Sequence, residues 1–257
     1  MDWGISFGGF VVGLLIGLTG MGGGLVMTPM MIFLFGVNPT VAVGTDLLYA
    51  SITKLFGAWQ HWRQQTVDWA VVKLLAQGSV PGALGGVLTM MFLQGAFHES
   101  VESIVGKTLG FTYLLVALLM LWRFFRKPKQ VEVRADGQPV PPRRKMLLLG
   151  VVAGYVVGLT SVGSGTLFMA FLVLIYPIAI ARLVGTDIVQ AVLVTGVAGI
   201  AHFAIGNVNL LMVGQLLIGS IPGILIGSRM TTKVPEVAVR TTLFLMIFLS
   251  GFKMLLK

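Results

Sequence analysis

Two carboxylates, one lysine and two histidines lie within apolar sequence, where ionisable groups are costly. Asp46 and Asp187 each follow a Gly-Thr pair, Gly44-Thr45 and Gly185-Thr186, near the start of a long apolar stretch. Such a carboxylate has two readings. Thr-Asp can open a helix, with the hydroxyl capping free N–H groups and the acid complementing the helix dipole. Alternatively the acid penetrates a membrane helix and faces a cavity or a partner. Lys54 stands about midway along the first stretch, where a lysine has least chance of reaching water. A lone deep ammonium suits an anionic substrate, or pairs with an acid elsewhere in the fold. His61 and His202 lie toward the far ends of the two stretches, placed for interfacial hydrogen bonding or for proton handling. No second His, Cys or carboxylate stands at metal-ligand spacing, so no metal is expected.

On a helix, Asp46, Ala50, Thr53, Lys54, Gly57 and His61 fall within an arc of roughly 100°. The second stretch gives Asp187, Ala191, Val194, Thr195, Ala198 and His202 on the equivalent face, with Thr195 in the place of Lys54. One small or polar face from end to end suits the lining of a path. The other notable residues are glycines: Gly17-Leu18-Thr19-Gly20-Met21-Gly22-Gly23-Gly24 and Gly158-Leu159-Thr160-Ser161-Val162-Gly163-Ser164-Gly165 interrupt apolar runs. Freed backbone groups cannot face lipid, and they are tolerated where they line a polar cavity. Scattered glycines such as Gly8, Gly9 and Gly13 read as close helix packing, and Gly78-Ser79-Val80-Pro81-Gly82 reads as a Pro/Gly kink that serves packing first.

The elements that must position these residues are membrane helices. Hydrophobic residues make up 56% of the 257, charged residues only 11%, and the mean hydropathy is +0.94, far from globular averages. The chain reads as an all-α integral membrane protein of a bacterial plasma membrane, with its first segment a retained span. Apolar runs fall at about 4 to 19, 25 to 37, 41 to 62, 69 to 93 and 100 to 125, then about 146 to 160, 166 to 179, 183 to 205, 208 to 230 and 236 to 256. The third, fourth and fifth of each half reach the ~20 residues of a full span. The first and second form a re-entrant hairpin, or a full span followed by a half-helix. Residues 1–125 form a first transmembrane unit, 126–145 a basic linker and 146–257 a second unit.

The net charge of +9 does not indicate nucleic acid. Arg123, Arg126, Lys127, Lys129, Arg134, Arg143, Arg144 and Lys145 crowd into the one sizeable loop, which reads as a cytoplasmic orientation signal. With that loop inside, Arg63, Arg182, Arg229, Lys233 and Arg240 also lie inside, whereas the connections near Asn38, Gln94 to Ser100 and Asn207 lie outside with both termini. Cys is absent, which excludes disulfides, thiolate metal sites and Cys nucleophiles. There is no GxxxxGK[ST] phosphate loop and no aqueous domain to hold one, so no nucleotide or other cofactor is expected.

Gly17 and Gly158 are 141 residues apart, and the same offset relates Val43-Gly44-Thr45-Asp46 to Val184-Gly185-Thr186-Asp187, His61 to His202 and Gly78-Ser79-Val80-Pro81-Gly82 to Gly219-Ser220-Ile221-Pro222-Gly223. From Gly13 on, 21 of 74 positions are identical at this offset. The chain is a duplicated unit. With five segments per half, giving eight to ten membrane segments in all, the two copies are inverted, a construction of secondary transporters whose sites lie where interrupted helices meet.

With these motifs assembled, the sequence resembles the sulfite exporter TauE/SafE family of membrane transporters, also called TSUP. The likeness rests on both glycine-rich breaks, Pro29, the two Val-Gly-Thr-Asp motifs and the basic linker, and it covers nearly the whole chain. It implies transport of a small anion such as sulfite, thiosulfate or a sulfonate. Two departures stand out: Ser164 replaces the middle glycine of the second break, and Ala170 stands where Pro29 would repeat. The expected substrate site is Gly22, Gly23, Gly24, Thr45, Lys54, Gly163, Ser164, Gly165 and Thr186. Asp46, Asp187, His61 and His202 are the candidates for a coupling proton or Na⁺. A passive anion channel is the alternative, an intramembrane enzyme a weaker one, and a homo-oligomer remains open.

Overall fold

A computed structural model describes residues 3–19, 24–97, 100–124, 141–176, 180–230 and 236–256. Among these it has ten helices: α1 (Trp3–Thr19), α2 (Gly24–Phe33), α3 (Pro39–Arg63), α4 (Trp69–Ala96), α5 (Val101–Phe124), α6 (Arg143–Thr160), α7 (Leu167–Ile175), α8 (Ile180–Ala204), α9 (Leu210–Met230) and α10 (Glu236–Leu255). Four stretches, Trp69–Ala96, Val101–Leu119, Arg182–Ala204 and Leu210–Gly227, are long and apolar enough to cross a bilayer. The exposed surface is correspondingly apolar, with Leu88, Phe92, Phe111, Leu118, Ile200 and Leu249 facing outward. The third segment, expected as a full span, has the length, 25 residues, but its Asp46, Lys54 and His61 keep it out of that apolar set. Helix α10 contributes a shorter apolar stretch, Thr241–Leu255.

Contacts between loops and helix ends define two ends of the bundle. At the Asn38 end, Glu102 of α5 accepts bonds from the Thr40 N–H at 3.2 Å and the Thr40 hydroxyl at 2.7 Å, so an acid from another helix caps α3. The side-chain amides of Gln94 and Asn207 exchange hydrogen bonds, and the Lys253 ammonium lies 4.4 Å from the Phe33 ring centroid. At the Arg63 end, Tyr176 donates to Asp68 Oδ2 at 3.1 Å. Helices α3 and α8 run antiparallel: Gly199 lies against Leu48, Gly196 against Ser51 and Gly57 against Ile188.

Two glycine seams hold two further pairs. Gly78, Gly82 and Gly86 of α4 meet the carbonyls of Leu147, Val151 and Tyr155 on α6, while Gly150, Gly154 and Gly158 meet those of Leu75, Ser79 and Ala83. Helices α1 and α9 repeat this with Gly9 and Gly13 against Leu216 and Ser220, and Gly219, Gly223 and Gly227 against Ser6, Phe10 and Leu14. A methyl group at these sites would strike backbone, so glycine is what permits the approach. Gly8 instead faces the Phe35 and Met30 side chains. Helix α4 continues through Pro81 and α9 through Pro222.

Both seams are parallel pairings. Helix α4 starts at the Arg63 end, so α6 rises from there; α9 starts at the Asn38 end, so α1 starts there too. Exchanging α1–α5 for α6–α10 leaves the pairings α1·α9, α4·α6, α3·α8 and α5·α10 unchanged.

Helix α6 ends at Thr160. Ser161 adopts a left-handed conformation (φ 60°) and Gly163 has φ 95°, a turn that reverses the chain into the nine-residue α7. Because α6 leaves the Arg63 end and Tyr176, just after α7, returns to Asp68, these elements form a re-entrant hairpin with its tip inside the bundle. The first-half break, residues 20–23, lies outside the described residues.

Candidate functional site

The tip of that hairpin rests on α3. Asp46 is fully buried, and its Oδ2 accepts two hydroxyl bonds, from Thr28 of α2 at 2.6 Å and from Ser161 at 2.7 Å. Its Oδ1 has no hydrogen-bond partner. Thr28 also shares a hydrogen bond with the buried Tyr113 of α5. Asp46 therefore meets both halves of the chain, and Ser161 holds it at the carboxyl end of α6, where that residue is the C-cap.

Eight residues on, about 12 Å along the helix axis, Lys54 reaches the other limb of the hairpin. Its ammonium donates to the Ser164 hydroxyl at 2.7 Å and to the Ser164 carbonyl at 3.1 Å, and the residue is 8% exposed. An ammonium carries three donors, and Ser164 takes two. The Ser164 hydroxyl, accepting here, keeps its own hydrogen to donate. Thr166, the N-cap of α7, is buried with its hydroxyl unpartnered. Asp187 of α8 is 6% exposed, and both it and Asp46 act electrostatically on Lys54. Sequence spacing placed Asp46 and Lys54 on one face of α3; the structure adds the partner, the second break.

The other candidates have different surroundings. Thr45 Oγ1 accepts the Asn209 N–H at 3.1 Å, and Thr186 Oγ1 accepts the Asp68 N–H at 2.9 Å. Asp68 and Asn209 are themselves 141 positions apart, so each Gly-Thr-Asp motif ties its helix to the loop that opens the fourth helix of the opposite half. Gly44 and Gly185 allow this approach: the first lies against Asn207 and His202, the second against Thr66 and His61. His61 Nδ1 pairs with Thr66 Oγ1 at 2.8 Å, near the end of α3. His202 is fully buried and donates from Nε2 to the Gly158 carbonyl at 2.8 Å, since a carbonyl only accepts. Gly163 and Gly165 shape the tip beside Ser164. Gly24 is the first residue of α2, and Gly22 and Gly23 lie outside the described residues.

Thr28, Ser161 and Thr166 are the polar residues that sequence reasoning did not select. One signal was available for the first two: at the repeat offset Thr28 faces Met169 and Ser161 faces Gly20. The hydroxyls around Asp46 are thus present in only one half. A separate open groove of about 710 Å³, lined by Trp3, Gly4, Ile5, Asn209, Leu211, Met212 and Gln215, contains none of the buried charges.

The profile of the sulfite exporter TauE/SafE family matches residues 5–254. Among similar chains, the probable membrane transporter protein YjnA of Bacillus subtilis (strain 168) is 43% identical over 251 residues, spanning 96% of this chain and 97% of that one. A second Bacillus subtilis chain, the probable membrane transporter protein YdhB, is 22% identical over 246 residues, 96% of this chain and 97% of its own. A probable membrane transporter protein of Methanocaldococcus jannaschii is 24% identical, over 96% of this chain and 93% of its own. No solved structure matches.

Proposed function

Because this chain belongs to the sulfite exporter TauE/SafE family of membrane transporters, we propose that it is a secondary transporter that carries a small sulfur-containing or organic anion, such as sulfite, thiosulfate or a sulfonate, past the tip of the α6–α7 hairpin. One observation carries this reading: the buried Lys54 ammonium, two of whose three donors go to Ser164, sits beside the Ser164 hydroxyl and the start of α7. Buried charge is retained where it is compensated, and an oxyanion there takes a charge-assisted bond from Lys54, a hydroxyl bond from Ser164 and the positive end of α7. Gly163 and Gly165 let the backbone approach the anion, and Gly24 opens α2 at the first break. Coupling to a proton or Na⁺ runs through the buried carboxylates Asp46 and Asp187, with His61 near the Arg63 end and the buried His202 against Gly158. Thr45 and Thr186 act as ties between the halves. The chain is a carrier and performs no catalysis.

Residues 1–125 and 146–257 form an inverted repeat joined by the linker 126–145. The opposed directions of α3 and α8 and the exchange-invariant pairing support this. The Arg63 end lies on the cytoplasmic face of the inner membrane, with the linker. Trp59, Trp62 and Trp69 are exposed there, and the Arg63 guanidinium sits 5.0 Å from the Trp59 ring centroid, the composition of an interfacial belt.

In proteoliposomes loaded with unlabelled sulfite, the protein is expected to drive counterflow of labelled sulfite, and Lys54→Met to reduce it by tenfold or more, as loss of a charge-assisted bond of ~1.5–3 kcal/mol implies. Wild-type counterflow at the level of empty vesicles for sulfite, thiosulfate and sulfonates alike sinks the proposal, and full activity of Lys54→Met sinks its site.

A further inference from the structure

The second break sets charges against helix ends in the unfavourable sense. Acids stabilise helix N-termini and bases stabilise C-termini. Here the Asp46 carboxylate is bound to the C-cap residue of α6, Ser161, where the helix end is negative, and the Lys54 ammonium is bound to Ser164, two residues before the N-cap of α7, where it is positive. Each arrangement becomes favourable when a ligand of opposite charge arrives. The anion at Lys54 accounts for one of them. The other calls for a cation.

We infer that Asp46, Ser161 and Thr28 form a Na⁺ site at the carboxyl end of α6. Both hydroxyls direct their hydrogens to Asp46 Oδ2, so Ser161 Oγ, the Thr28 Oγ1 lone pair that Tyr113 does not take and the whole of Asp46 Oδ1 are acceptors. Carboxylate, hydroxyl and end-of-helix carbonyl oxygens are hard ligands of the kind that hold Na⁺ at broken membrane helices. Both Asp46 and Asp187 act electrostatically on Lys54, so Asp46 stands in a cluster with a second carboxylate. The buried phenols of Tyr49 and Tyr113 also lie near Asp46. At the repeat offset Met169 and Gly20 correspond to Thr28 and Ser161, so the sequence supplies this pair of hydroxyls once. Calling this ion a coupling ion rests on the transport reading above.

The test uses the full chain purified in detergent, with no sulfite. NaCl replaces choline chloride at constant ionic strength while the melting temperature is followed. Na⁺ is expected to raise the melting temperature saturably, because an ion that binds only the folded state stabilises it. Asp46→Asn should abolish the response, and Ser161→Ala and Thr28→Val should each raise the half-saturating Na⁺ concentration by about tenfold. A wild-type melting temperature that ignores Na⁺ overturns the site. So does an Asp46→Asn response equal to wild type, or, where Asp46→Asn does not fold, unchanged half-saturation in both hydroxyl variants. Anion counterflow can persist in each of these cases, which keeps failure of the Na⁺ site distinct from failure of the transport reading.

Discussion

Replacing Thr186 by Val tests whether the repeated Gly-Thr-Asp motif serves the fold or the anion. Valine keeps the threonine shape and removes its oxygen. In the structure that oxygen accepts the Asp68 N–H at 2.9 Å and donates to the Arg182 carbonyl at 2.6 Å; Thr186 is 1% exposed and Asp68 9%. Water cannot reach the abandoned N–H, so the variant bears the desolvation cost of an unpaired buried donor, ~1–3 kcal/mol. Thr45→Val is the repeat-related control. Thr45 accepts the Asn209 N–H at 3.1 Å, but Asn209 is exposed and water takes over that donor, leaving a loss of ~0.5–1 kcal/mol. With about 2–4 °C per kcal/mol for a chain of this size, Thr186→Val should melt several degrees below wild type and clearly below Thr45→Val. Intrinsic tryptophan fluorescence in detergent reads the transition. The sulfite concentration giving half-maximal stabilisation should stay within about twofold of wild type in both, because neither hydroxyl touches the Lys54 site. Two variants that melt like wild type but need about tenfold more sulfite would refute the tie and return both hydroxyls to the anion.

The glycine seams predict that Gly82→Val and Gly223→Val, whose side chains strike the Val151 and Phe10 carbonyls, yield little folded protein on size-exclusion chromatography. Gly214→Ala, with nothing within 4 Å of its new methyl, should be neutral or gain up to ~1 kcal/mol; monodisperse, thermally unaltered Gly82→Val would refute the packing argument. Because the chain has no cysteine, Gly57→Cys with Ile188→Cys is a clean pair. A Cβ at Gly57 would lie 3.5 Å from Ile188 Cγ2, so mild oxidant should link α3 to α8 and shift gel mobility after cleavage of the linker, whereas parallel third helices would give no link. Gln64→Cys and Asn38→Cys are both exposed at opposite ends; an impermeant maleimide applied to intact cells should label Asn38→Cys alone, and the reverse pattern would invert the proposed orientation.

Much of this architecture was legible because duplication writes itself as a constant offset. The glycine at every fourth position in four helices, the paired Gly-Thr-Asp motifs and the Asp46–Lys54 face all follow from spacing. What spacing could not supply was the partner across the fold. Ser161 and Ser164 meet Asp46 and Lys54 because α6 stops about 10 Å short of the far end of α3, and where a hairpin tip stops depends on the packing of α4 against α6, which no periodicity in residues 158–165 encodes. The same holds for the threonines. A hydroxyl after glycine can offer a hydrogen to an anion or accept one from a loop, and only the approach of Asn209 and Asp68, admitted by Gly44 and Gly185, decides between them.

The two halves diverge where the charge is and agree where the backbone is. Every symmetric contact, the glycine seams and the two hydroxyl ties among them, involves main chain. The ligand-facing set has no such pairs: Lys54 faces Thr195, Ser164 faces Gly23, Thr28 faces Met169 and Ser161 faces Gly20. On the proposed transport reading, duplicated backbone contacts would let the halves exchange conformations, the property that alternating access draws on. On the same reading, keeping the hydroxyls and the ammonium at one tip fits one anion per cycle, since a second copy of Lys54 would put two ammonium groups in the same buried volume as the two carboxylates, at a desolvation cost of several kcal/mol per ion. Asp187, the repeat counterpart of Asp46, is the exception that fits: its field acts on Lys54. An Asp187→Asn variant should therefore weaken the hold on the ammonium and alter sulfite affinity while leaving the Asp46 hydrogen bonds in place.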